Sequence, residues 1–265
     1  MGKKGIALER IVELLNEGKT LVEIGEILGC STSNIGKRLK KEGISFKRDY
    51  SKSRYKRTNR HTLNEYYFDF IDTEDKAYFL GLLYSDGSME ENQFYIKLTD
   101  LDVLQRLKEV LNTSVPIRTI YHENKNWKTT YVLTISSKYM CRKLSELGCI
   151  KNKSKTIRLP NIKEELIRHF IRGFFDGDGC LYLHDKIYHC AFDITSASKQ
   201  FLEDIRPIIA LNGKTNGYLG KEKNHEVWHL HFGGHQVFSI LEWLYKDATI
   251  YMQRKYNKYK LLSPD

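Results

Sequence analysis

Two stretches of this chain, FLGLLYSDGS over residues 79–88 and IRGFFDGDGC over 171–180, each run from apolar residues into a carboxylate beside a glycine. They align as Gly81-x4-Asp86-Gly87 and Gly173-x4-Asp178-Gly179. The apolar run reads as a buried helix and the closing glycine as its C-cap. The cap does not account for the acid, because a carboxylate in the last turn faces the negative end of the helix macrodipole. Something positive must lie nearby. The earlier glycine is a second anomaly, since a mid-helix glycine costs about 1 kcal/mol relative to alanine. What glycine offers in return is close approach of another backbone. Two such helices packed at Gly81 and Gly173 would bring Asp86 and Asp178 together. Paired carboxylates repel unless they are protonated or neutralised by a divalent cation. With no Cys or His in either motif, hard oxygen ligands favour Mg2+ (or Mn2+) over zinc. The chemistry open to such a pair is metal-assisted hydrolysis.

The elements that must position these acids repeat. Asp72 and Asp75 are expected to open the first motif helix, and Asn161 with Glu164 to cap the second after Pro160. From residue 63 the order helix, two strands, helix, two strands, helix is expected twice, which implies two similar halves. QFYIKLT (93–99) alternates as a half-buried strand, and strands are expected near PIRTIY, TTYVLTIS, CLYLH, YHCAFDIT, TNGYLG and EVWHLHF.

Residues 6–44 have a different pattern. Ile11, Leu14 and Leu15 recur at helical spacing before Gly18. Thr20 and Glu23 form a capping box for a second short helix that ends at Leu28. Gly29 makes a turn, and Ser31 or Ser33 can cap a third helix with Ile35 and Leu39 inward. This is a helix-turn-helix pattern, whose third helix would turn Ser33, Asn34, Lys37, Arg38 and Lys41 outward to base edges and phosphates. Residues 47–61 hold seven Lys/Arg, among them Arg54, Lys56 and Arg57, and read as a basic linker following a phosphate backbone. The expected domains are 1–46, the linker 47–62, and halves 63–159 and 160–265.

Charge agrees with that division. The chain has 265 residues and a net charge of +10; residues 1–62 carry 15 Lys/Arg against 7 Asp/Glu, and the rest 28 against 26. A basic arm before a nearly neutral body suits a polyanionic partner. Hydrophobic content of 41% excludes global disorder. No apolar run approaches the roughly 20 residues of a membrane span, and the first residues lack a secretory apolar region, so an intracellular protein is expected. Five scattered cysteines (Cys30, Cys141, Cys149, Cys180, Cys190) form no CxxC pair, which argues for reduced thiols and against a zinc cluster.

With both nonapeptide-like stretches in view, FLGLLYSDG and IRGFFDGDG, residues 63–260 resemble the LAGLIDADG homing endonucleases in their single-chain, two-motif form. Tyr84 stands where that family has its first Asp, while the second motif keeps Asp176, a lesser candidate ligand. The resemblance implies an α+β fold of two pseudo-symmetric αββαββα halves with antiparallel saddle sheets, here preceded by the small all-α helix-turn-helix. It further implies a monomeric, site-specific double-strand DNA endonuclease acting on a long, asymmetric target. Asp86 and Asp178, with the backbone of Gly87 and Gly179 beside them, would hold the metal and activate water. One basic residue per half would act near the scissile phosphate, namely Lys153 in KNKSKTIRLP and Lys255 in YMQRKYNKY, with Arg254 as its substitute. Strand alternation then turns Tyr95, Lys97 and Thr99 toward DNA, and by the same reasoning Arg118, Thr134, Asp193, Thr195, His229 and His231. Alternatives on the same scaffold are a non-cleaving DNA-binding regulator, whose relatives lose the motif acids, and an RNA intron maturase. An intein-derived fragment would have a splice-junction cysteine or a C-terminal His-Asn pair at its flanks, and neither flanks the unit. The added helix-turn-helix suits a free-standing enzyme.

Overall fold

The computed structural model describes residues 7–44, 61–124, 126–183, 190–223 and 225–262. The chain divides into two compact units, Met1–Arg60 and His61–Asp265. Among the described residues no helix is long and apolar enough to cross a membrane.

The first unit holds α1 (Leu8–Asn16), α2 (Leu21–Leu28) and α3 (Thr32–Lys41). Ile11, Leu14, Ile24, Ile35 and Leu39 form its core. The capping box at α2 is made in both directions: the Glu23 amide donates to Thr20 Oγ1 (3.3 Å), and the Thr20 amide donates to Glu23 Oε2 (2.8 Å). At α3 it is Ser31 that caps, accepting from the Asn34 amide at 3.3 Å. Gly29 turns the chain at φ 60°, and a side chain on Gly25 would meet the Cys30 carbonyl at 2.7 Å. Those two glycines bring α2 and α3 close enough to share one small core.

In the second unit the helix-strand order runs twice. The first half comprises α4 (Glu74–Ser85), β1 (Gly87–Met89), β2 (Phe94–Leu98), α5 (Leu101–Val110), β3 (Arg118–Ile120), β4 (Thr130–Ile135) and α6 (Lys138–Glu146). The second comprises α7 (Glu164–Asp178), β5 (Gly179–Tyr182), β6 (Ala191–Ser196), α8 (Lys199–Gly213), β7 (Tyr218–Lys221), β8 (Trp228–Gly233) and α9 (Gln236–Tyr245). Each half folds into a four-stranded antiparallel sheet, ordered β1-β2-β4-β3 and β5-β6-β8-β7. A further helix, α10 (Gln253–Leu262), follows; the repeat pattern did not foresee it. Both halves share one core, because α4 is apolar on every side and α7 lies against it.

Two expected helix starts differ. Thr73, not Asp72, caps α4, accepting from the Lys76 amide at 3.4 Å, while Asp75 lies within the first turn. At α7 the residue before the helix is Lys163 with no side-chain cap, so Asn161 plays no capping part. The Ile162 amide instead turns back to the Pro160 carbonyl at 3.0 Å, which holds the chain off helical geometry until Glu164.

The α4–α7 contact is backbone against backbone. A Cβ at Gly81 would lie 2.0 Å from the Phe170 carbonyl oxygen, and one at Gly173 would lie 2.0 Å from that of Tyr78. A buried charge group closes one end of this interface. Arg172, fully buried, donates to the carbonyls of Ile250 (3.0 Å) and Leu244 (2.8 Å) and to Glu74 Oε1 (2.5 Å). The same carboxylate oxygen accepts from the Thr249 amide at 2.8 Å. Burial pushes Glu74 up, but the Thr249 amide and the charge of Arg172 outweigh it and hold the carboxyl below its ordinary range.

Replacement of Gly173 by alanine tests the contact. In a helix free of such a neighbour the change would stabilise by about 1 kcal/mol. Here it is expected to destabilise by about 3 kcal/mol, as overpacking against an unyielding backbone does, measured by urea unfolding.

Candidate active site

The motif helices end where their acids begin to act. Asp86 follows the last residue of α4 and Asp178 is the last residue of α7. The next residues, Gly87 and Gly179, are the first of β1 and β5, so each acid joins a helix to a strand. Asp86 is half-buried. A Cβ at Gly177 would meet Ser85 Oγ at 2.0 Å and Asp86 Oδ2 at 2.4 Å, so that glycine makes room for the carboxylate of the opposite helix. Sequence reasoning missed this glycine, although the doubled Asp-Gly of DGDG was the available signal. Loss of solvent, then the charge of Asp178, pushes the Asp86 carboxyl up to about 6. Asp178 reaches further into solvent, yet surrounding protein still displaces enough water to raise it, against the pull of Lys153 and Lys255.

Both lysines are buried, Lys153 at 6% exposure and Lys255 at 3%, so neither is a solvated lysine on a linker or tail. Lys153 lies in a single 3-10 turn, Lys153–Lys155, and donates to the Gly87 carbonyl. Lys255, on α10, donates to the carbonyls of Phe175, Asp176 (3.0 Å) and Gly179 (2.6 Å). These ammonium groups supply positive charge at the carbonyl ends of both motif helices. Burial lowers Lys255 to about 8, with Asp176 opposing, and also lowers Lys153, with Cys149, Asp178 and Asp86 opposing. The fold thus collects Asp86, Asp178, Lys153, Lys255 and the carbonyls of Gly87 and Gly179 at one place.

Asp176 is elsewhere. Fully buried, it accepts from Tyr78 Oη (2.8 Å), Tyr245 Oη (2.5 Å) and the Met252 amide (2.7 Å), which commits it to the core. Tyr84, at the matching position of the first motif, donates to the Leu147 carbonyl. Arg254 is tied by its Nε to both oxygens of Asp100, each at 3.2 Å, which joins the two halves beside the site.

The remaining sequence-predicted residues lie on faces. Phe94, Ile96 and Leu98 are buried, so Tyr95, Lys97 and Thr99 turn outward. Arg118 and Thr134 share that outer face through register with β4 and β2. Asp193, Thr195, His229 and His231 line the matching face of the second sheet, where Tyr218, which was not foreseen, also lies. Ser33, Asn34, Lys37, Arg38 and Lys41 are all exposed on α3. Arg54, Lys56 and Arg57, with most of the expected linker, lie outside the described residues.

Residues 73–148 and 165–239 each match the family described as LAGLIDADG-like domain. A stretch of 134 residues is 30% identical to part of the probable translation initiation factor IF-2 of Thermococcus kodakarensis, covering 48% of this chain and 11% of that protein. Another of 187 residues is 27% identical to part of the reverse gyrase of Methanocaldococcus jannaschii, covering 69% of this chain and 11% of that protein. The chain therefore spans only a small part of the curated relatives it matches, and the activities that name those whole proteins do not transfer to it. In structure it is similar to the homing endonuclease I-WcaI bound to its DNA recognition sequence, at 14% identity and a TM-score of 0.53, over 75% of this chain and 92% of that one. At that identity the likeness is one of fold. With both repeats matched and the doubled αββαββα arrangement folded around Gly81 and Gly173, the chain is a two-repeat member of the LAGLIDADG family.

Proposed function

We propose that this chain is a site-specific endonuclease that hydrolyses phosphodiester bonds on both strands of a DNA duplex with a divalent metal, Mg2+ or Mn2+. The observation that carries this reading is the pairing of Asp86 and Asp178 at the ends of two glycine-packed helices, with a buried lysine at each carbonyl end. The donor set fits a hard cation. Asp86 is raised by burial and by the charge of Asp178, and Asp86 and Asp178 would hold a divalent cation whose charge would offset both effects. The carbonyls of Gly87 and Gly179 accept from Lys153 and Lys255, and would serve a cation only through their remaining lone pairs. A metal there supplies a more acidic water and stabilises charge on the leaving oxygen.

The chain's own groups do the rest. Asp86 and Asp178 orient the attacking waters, one for each strand. Lys153 and Lys255 hold positive charge where the phosphate gains negative charge. The outer faces of the sheets enter the major groove through Tyr95, Lys97, Thr99, Arg118 and Thr134 on one side and Asp193, Thr195, His229 and His231 on the other. The helix-turn-helix lengthens the contact through Ser33, Asn34, Lys37, Arg38 and Lys41. Two motifs in one chain suit a monomer on an asymmetric target. Retention of both motif acids favours cleavage over regulation without cutting.

Three outcomes follow from these assignments. Asp86→Asn and Asp178→Asn each stop double-strand cleavage of a Mg2+-supplied duplex library, by at least roughly 100-fold, while gel-shift affinity in EDTA stays near wild type. Double-strand cutting that survives in either variant removes that residue from the mechanism.

Asp86→Asn also gains stability. An acid raised to about 6 in the fold opposes folding in full above that pH, and the opposition fades as pH falls from about 6 into its ordinary range and is absent below it. The variant should exceed wild type by about 2 kcal/mol at pH 8 and match it near pH 3.5, measured by denaturant unfolding in EDTA.

Replacing Lys37, Arg38 and Lys41 together by alanine should make the salt dependence of DNA binding shallower by about 2–3 in log–log slope. An unchanged slope would mean α3 leaves the phosphates untouched.

A further inference from the structure

The outer faces of the two sheets can be matched residue by residue. With Gly87 set against Gly179, the registers match Ile96 with Ile194 and Leu133 with Leu230. Tyr95 then corresponds to Asp193, Thr134 to His231, Lys97 to Thr195 and Arg118 to Gly220. The two cations of the first face are thus replaced by a hydroxyl and a glycine on the second. A tyrosine and a threonine are replaced by a carboxylate and an imidazole. Strands β1–β4 contain no acid, and the outer-face positions of β5–β8 contain no Lys or Arg.

Asp193 and His231 are not two loose side chains. His231 Nδ1 lies 2.9 Å from Asp193 Oδ1. A carboxylate only accepts, so Nδ1 carries the hydrogen, and in neutral imidazole Nε2 is then an acceptor. Nε2 lies over Gly233, where a Cβ would come within 3.2 Å of it. Tyr218, paired in register with His231, lies over Gly220, where a Cβ would meet its ring at 2.5 Å. Two glycines on the DNA-facing side leave room for two side chains that are already set in place. Fixing them before binding removes part of the ordering cost of recognition.

We propose that the Asp193–His231 pair is the specificity-determining contact of the second sheet. It is an acceptor site for the exocyclic amino group of cytosine or adenine; the first sheet instead carries a donor site for guanine, Lys97 with Arg118, at the positions matched by Thr195 and Gly220. The assignment rests on the endonuclease reading and deepens it. In the major groove cytosine presents N4–H2 and adenine N6–H2, whereas guanine presents O6 and N7, and thymine O4 with a methyl group. An acceptor pair facing guanine or thymine sets lone pair against lone pair, which rejects the wrong base as well as selecting the right one. Lys97 and Arg118 do the reverse, donating to guanine O6 and N7. The half-sites would therefore differ in chemistry at both matched positions, acceptors against Tyr95 and Thr134 at one, and donors against Thr195 and Gly220 at the other.

The test is a binding selection from a duplex library randomised across the target, with full-length protein in EDTA so that the readout does not depend on cutting. Wild type is expected to show a position requiring cytosine or adenine in one half-site. Asp193→Asn and, separately, His231→Phe should each lower that preference by roughly 10-fold and leave the other half-site intact. Arg118→Ala should relax a guanine in the opposite half-site. A sharp wild-type profile that both second-sheet variants leave unchanged overturns this assignment alone. So does a profile in which the affected position prefers guanine or thymine. Recovery of no sequence by wild type overturns the endonuclease reading together with it.

Discussion

The rest of the second unit depends on the contact of two helix backbones at Gly81 and Gly173. The contact is reciprocal: the Phe170 carbonyl fills the place of a side chain at 81, and the Tyr78 carbonyl fills it at 173. Reciprocity fixes the rotation of each helix about its axis, because only one face of each lacks side chains. The C-terminal ends then coincide, with Asp86 and Asp178 beside one another. The strands inherit the same constraint, since β1 and β5 begin at the residues directly after the two acids. Position of the acids and placement of the outer sheet faces are therefore one geometric fact. A shift at the glycines would move both.

Electrostatics at those helix ends follows from burial. Asp86 and Asp178 are both raised, Lys153 and Lys255 are both lowered, and loss of solvent is the leading cause in all four. Each group is displaced toward its neutral form, because the surrounding protein takes the place of water around all four. The lysines also answer the helix macrodipole, which would disfavour an acid at that end if nothing positive stood there.

Much of this was legible in the sequence, for identifiable reasons. A helix that needs close approach must spend a glycine in mid-run, and one that delivers an acid to its end leaves a carboxylate where a cap alone suffices. Gly81, Asp86, Gly173 and Asp178 therefore stood out before any fold was known. Thr20 with Glu23, and the alternation of residues 94–98, are local patterns that act through their own neighbours. The Asn161–Glu164 pair has the same local form yet fails, since the helix starts only at Glu164 and Lys163 stands before it. Distant partners hid the rest. Arg172 reads as a surface arginine, but its carboxylate partner lies 98 residues away. Helix α10 reads as polar because Lys255 points inward, toward carbonyls 76 to 80 residues back along the chain. No local periodicity signals such a residue.

The Arg172–Glu74 pair makes the two-fold plan directional. When Gly81 is matched with Gly173, Glu74 corresponds to Leu166 and Arg172 to Leu80. A homodimer of the second half alone would set each Arg172 guanidinium against a leucine, and one of the first half would do the same to Glu74. Arg172 is fully buried, so a pairing without Glu74 would leave its charge uncompensated inside the protein, and a symmetric dimer would do so twice. Each half is therefore complementary to the other at a position where it is not complementary to itself. The glycines keep the two-fold plan while this one ion pair breaks it, so the interface has a direction that its backbone contact alone would not give it.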